Sequence, residues 1–106
     1  MNYADSKILN QIKKIILEQE PQAKIYLYGS RSRGTAKSYS DWDLLILLNK
    51  DKITPEEEQK ISDPLYDLEF ETGDVISPMI YSEKEWNTKH KITPFYKNVM
   101  REGRLL

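Results

Sequence analysis

Asp41 and Asp43, with one residue between them, are the side chains in this chain best placed to do chemistry. They stand at the mouth of an apolar run, Leu44 to Leu48, that reads as a strand. Side chains two apart on a strand point to one face, so both carboxylates should converge on one site. Two carboxylates held together repel unless they share a proton or a cation, and Mg²⁺ is a cation that takes oxygen ligands. Twelve and fourteen residues upstream of the pair lies Gly29, followed by Ser30, at the end of a second strand-forming run, Ile25 to Tyr28. A glycine there lets a phosphate approach the backbone, Ser30 adds a hydroxyl donor, and the amides that follow could receive an anion. Arg31 and Arg33 are of the type that makes charge-assisted bonds to phosphate oxygens. A metal on one side and phosphate donors on the other describe a nucleoside triphosphate site.

Gly29-Ser30, ten intervening residues and then Asp41-Trp42-Asp43 resemble the signature of the nucleotidyltransferase superfamily that includes DNA polymerase beta. The similarity is greatest to its minimal one-domain members. The resemblance implies an α/β (α+β) fold, a small mixed sheet of three or four strands flanked by helices. It also implies transfer of a nucleoside monophosphate from ATP or another triphosphate, with Mg²⁺ as the metal. In the family a third carboxylate on a later strand completes a triad. Here Asp74, Glu69 and Glu71 are the candidates, with Asp74 preferred because it opens the third strand. Its register looks one residue early, and such an offset turns a side chain to the other face unless Gly73 or a bulge corrects it. Minimal members often act beside a small helical HEPN-like partner, and some attach adenylate to a tyrosine of it. That implies a protein adenylyltransferase in a toxin–antitoxin-like pair. The alternative is a degenerate transferase that keeps the fold and controls its partner by contact.

The elements that must position these residues are legible in the periodicity. Ile8, Ile12, Ile15 and Ile16 recur at helical spacing between Asp5 and Glu20, with Asp5 as cap and Pro21 as terminator. Leu44 to Leu48 is apolar on both faces, as in a central strand, and Trp42 should face away from the aspartates into the core. Thr54 and Pro55 open a helix to about Glu71, with a fresh start or kink at Asp63-Pro64. Val75 to Tyr81 forms a third strand, and Pro78 assigns it to a sheet edge or a bulge. Ser82 and Glu85 spell a capping box, Thr93-Pro94 starts a last helix with Phe95, Tyr96 and Val99 inward, and Gly103 ends it. Leu105 and Leu106 form an apolar tip too short to classify.

Composition bounds the rest. A chain of 106 residues suggests a single domain, 1–106, burying about 60–70% of the surface of its extended form. A formal charge of −1 gives no basic field for nucleic acid. No cysteine is present, which fits a cytoplasmic setting, and no apolar run is long enough to span a membrane or form a signal peptide. The sole histidine, His90, has no second histidine or cysteine with which to share zinc, and so reads as a surface or locally bonded residue. The pattern is compatible with a homo-oligomer as well as with a partner protein.

Overall fold

The computed structural model describes residues 3–106. Helix α1 (Tyr3–Gln19) is followed by strand β1 (Lys24–Tyr28), a four-residue helix α2 (Ser30–Arg33) and strand β2 (Trp42–Leu48). Helix α3 (Pro55–Thr72) then crosses to strand β3 (Ile76–Ser82), and helices α4 (Glu83–Trp86) and α5 (Pro94–Glu102) lead to a two-residue strand β4 (Arg104–Leu105). The strands form one mixed sheet in the order β3-β2-β1-β4. β1 is antiparallel to both β2 and β4, and β3 runs parallel to β2. β2 is therefore central, as its unbroken apolar run requires, and β3 is an edge strand, where Pro78 is tolerated.

Alternation along β2 sorts the molecule into two cores. Trp42, Leu44, Ile46 and Leu48 face α1 and α3, meeting Ile8, Ile12 and Ile16 from one helix and Ile61, Leu65 and Leu68 from the other. Leu45 and Leu47 face the opposite way, against Trp86 of α4 and Val99 of α5, with Tyr26, Tyr28, Tyr81, Phe95 and Tyr96 at the margin. Leu45 is fully buried, so Leu45→Ala is expected to cost about 2–5 kcal/mol, read as a lower urea midpoint.

The structure departs from the sequence pattern in three places, each for a physical reason. α1 is already helical at Tyr3, so Asp5 lies in its first turn instead of capping it, and its carboxylate meets Arg31. α3 runs unbroken through Pro64, because the carbonyl that proline leaves without a donor belongs to the exposed Lys60 and can be hydrated. The full Thr54–Glu57 capping box outweighs the local breaker. The tip at 104–105 becomes the fourth strand because β1 offers it a free edge, and the Leu106 amide donates to the Ile25 carbonyl at 2.8 Å. His90 is locally bonded, one of its two expected settings: its amide donates to the Glu85 carbonyl at 3.1 Å and its ring packs 4.6 Å from that of Tyr81. No helix among the described residues is long and apolar enough to cross a membrane.

Candidate active site

β1 ends at Tyr28, and the chain turns at Gly29 with φ 76° and ψ −157°, a conformation that essentially only glycine adopts. α2 starts at once, with no side chain capping its first amides, so the N–H groups of Ser30 and Arg31 are left facing out of the helix start. The hydroxyl of Ser30 makes no hydrogen bond among the described residues, while its carbonyl accepts the Gly34 and Thr35 amides and so closes α2. The turn is thus a small set of donors built on a fixed backbone.

The antiparallel register of β1 and β2 pairs Tyr28 with Asp43, and the parallel register of β2 and β3 pairs Asp43 with Ser77. Residues abreast on neighbouring strands share a face, so Tyr28, Asp43 and Ser77 form one row on the side of the sheet away from α1 and α3. Asp43 also packs directly on the turn: a Cβ placed on Gly29 would overlap its Oδ2 atom. Asp41, just before β2, is exposed. Burial holds the pKa of Asp43 above the usual carboxylate range, and the charge of Asp41 pushes it further up, against an opposing pull from Arg33. The Tyr28 phenol is pushed up to about 12, first by burial, then by the charge of Asp43 and by Tyr81.

The remaining residues expected at this site divide sharply. Arg33 is half-exposed, its charge reaches Asp43, and its Nη1 donates to Glu102 Oε2 at 3.1 Å. Arg31 points to the other side of the sheet, with its guanidinium carbon 3.9 Å from the centre of the Trp42 ring. Asp74 is on that side too. Its Oδ1 accepts a long 3.5 Å bond from the Trp42 indole N–H, and it shares a shallow depression with Lys7, Gln11 and Glu71. The one-residue offset seen in the sequence is therefore not corrected by Gly73, which serves as the left-handed cap of α3. Glu69 stays on α3, where its carbonyl accepts the Gly73 amide. Asp74, Glu69 and Glu71 are not brought to Asp41 and Asp43, and no cluster of three or more His, Cys, Asp or Glu suited to a metal forms among the described residues. The position beside Asp43 belongs to Ser77, a residue whose type gives no sign of it; only the strand register reveals it.

Two neighbouring carboxylates with one arginine beside them leave a local excess of negative charge. Mg²⁺ is commonly held by one or two carboxylates together with substrate phosphates and water, so this donor set fits an ion that arrives with a triphosphate. A cavity of about 220 Å³ lies behind α2, lined by Asp5, Arg31, Ser32 and Trp42 among others, and does not open on the aspartates.

Residues 9–106 match the family of nucleotidyltransferase domains. Over 106 residues, the whole of this chain and 89% of the relative, the sequence is 33% identical to the candidate protein adenylyltransferase MJ0604 of Methanocaldococcus jannaschii. The fold is similar to the crystal structure of a toxin–antitoxin with AMP-PNP, with a TM-score of 0.64 and 22% identity over 91% of this chain and 69% of that one. A mutant of the toxin–antitoxin MntA–HpeT gives a TM-score of 0.63 at 20% identity, with the same coverage.

Proposed function

The chain belongs to the nucleotidyltransferase domain family and is a nucleotidyltransferase, and from that premise we propose that it moves AMP from ATP to a hydroxyl, namely a tyrosine of a small helical HEPN-like partner in a toxin–antitoxin-like pair. The observation that carries this is the seating of Asp43 against Gly29, which supports reading the carboxylate and the turn as walls of one site. Asp41 and Asp43 would hold Mg²⁺, which when bound would offset the charge of the triphosphate and lower the pKa of the acceptor hydroxyl. Ser30 and the first amides of α2 receive the β- and γ-phosphates, and Arg33 adds a cation beside them. The acceptor oxygen bonds to the α-phosphorus, pyrophosphate leaves, and the acceptor proton passes to a carboxylate or to solvent. The name of MJ0604 supports a protein acceptor, the toxin–antitoxin structures support a partner protein, and the AMP-PNP in one of them supports ATP. The proposed setting is the cytoplasm, where ATP and Mg²⁺ are both available.

Incubating the protein with ATP labelled at the α-phosphate, Mg²⁺ and the product of the neighbouring gene tests the proposal. Label should appear on a partner tyrosine and disappear when Mg²⁺ is chelated. A partner left unlabelled at saturating Mg²⁺ would count against it. One observation favours a second reading, a fold that controls its partner by contact alone: Ser77, not a carboxylate, stands beside Asp43. Under that reading Asp41→Asn and Asp43→Asn would leave control of the partner intact, whereas an enzyme would lose it.

A further inference from the structure

An arginine directly after the Gly-Ser turn would be expected to reach the phosphates, yet Arg31 is the more deeply buried of the two arginines there. Its side chain is 6% exposed, against 49% for Arg33. Taking a guanidinium out of water is costly unless its donors are matched, and here they are. Nε and Nη2 donate to the Ser40 carbonyl at 3.2 and 2.8 Å, and Nη2 reaches the Ser38 carbonyl at 3.4 Å. Nη1 lies 3.5 Å from Asp5 Oδ1, and the flat face of the group covers the Trp42 ring. Of these partners, Asp5 belongs to α1 and Trp42 packs on the α1 side of the sheet, behind the row that holds Asp43.

What Arg31 grips matters more than that it is gripped. Ser40 immediately precedes Asp41, and Trp42 separates the two aspartates. One side chain thus fixes the residues on both sides of Asp41 and ties them to α2, whose first residue is Ser30. Asp41 itself lies just outside β2: the Trp42 amide that follows it donates to the Val75 carbonyl at 2.8 Å, and the Ser40 carbonyl that precedes it is held by Arg31.

We infer that Arg31 is a positioning residue: by clamping Ser40 and Trp42 to α2 from behind the sheet, it sets Asp41 against Asp43 and against the Gly29–Ser30 turn, and so sets how strongly the site takes up Mg²⁺ with its nucleotide. This rests on the nucleotidyl-transfer reading of the site. Residues that orient metal ligands typically change metal affinity by about 10- to 100-fold when removed.

The test is calorimetric titration of ATP at a series of Mg²⁺ concentrations, on the wild type and on Arg31→Gln, with circular dichroism to verify the fold. In folded Arg31→Gln the Mg²⁺ concentration giving half-maximal ATP binding should rise about 10- to 100-fold, with affinity for metal-free ATP as in the wild type. Equal weakening with and without Mg²⁺ would make Arg31 a direct phosphate ligand and overturn the inference, as would an unchanged Mg²⁺ dependence. Arg31→Lys keeps the charge and the stem over Trp42 but loses the paired bonds to Ser40. It should show a smaller shift in the same direction, and it carries the test if Arg31→Gln does not fold. Wild-type protein that binds no ATP at any Mg²⁺ concentration removes the nucleotide reading, and the role of Arg31 falls with it.

Discussion

Asp43→Asn is expected to reduce transfer of labelled adenylate on the order of 10³-fold while making the metal-free protein more resistant to heat. Both effects come from one carboxylate. It is half-buried and faces the charge of Asp41, and burial is the larger of the two causes that raise its pKa. An acid whose pKa is higher folded than unfolded favours the folded state when protonated. The metal-free protein should therefore lose stability as pH rises through the folded pKa of Asp43 and regain it below the ordinary carboxylate range. Asparagine carries no charge in that position, so the variant should show a flatter pH profile and a higher melting temperature, measured without Mg²⁺. The Asp41→Asn, Asp43→Asn pair should lose little more activity than either single change, because residues that act as a unit are not additive. An Asp43→Asn protein that kept most of its transfer would remove Asp43 from the site.

Gly29→Ala should damage both stability and activity. At φ 76° and ψ −157° an alanine is strained by on the order of 1–3 kcal/mol before any contact is considered. Its Cβ would also overlap Asp43 Oδ2, and relief requires the carboxylate or the turn to move. A displacement of that kind at a reacting site costs about 10²-fold in rate. Expected results are a lower urea midpoint and about 100-fold slower transfer. Gly34→Ala is the internal control. That glycine is also left-handed, at φ 77°, but a Cβ there meets nothing within 4 Å. It should cost about 1–2 kcal/mol of stability and leave transfer near the wild-type rate. Equal activity losses at the two glycines would mean that the contact with Asp43 is not what matters.

Much of this arrangement was legible because it is written in local chemistry. The spacing from Gly29-Ser30 to Asp41 and Asp43, the double-faced run of β2, the Thr54–Pro55 and Thr93–Pro94 helix starts and the edge-strand proline are short-range features, and each has one dominant physical meaning. Element type, the buried face of α1 and the inward Trp42 followed from them, and the family from the resemblance of the Gly-Ser and Asp-x-Asp spacing to a known signature. Where local rules competed with distant partners they failed. Pro64 reads as a break until the capping box and the packing of α3 are known. Leu105 carries no signal until β1 offers an edge.

The roles of Arg31, Asp74 and Ser77 could not be read from residue type at all. Arg31 and Arg33 are two residues apart in one sequence motif, yet the helix rotation between them sends one to Trp42 and the other to Glu102, on opposite sides of the sheet. Asp74 precedes β3, and a shift of one position on a strand exchanges its faces, so the pairing of β3 with β2 decided that Ser77 stands beside Asp43 while Asp74 meets Trp42. By itself the sequence determined the ingredients and the strands that carry them, because periodicity and turn chemistry act over a few residues. Only the tertiary structure decided which side chains share a face, because register is set between strands far apart in the chain.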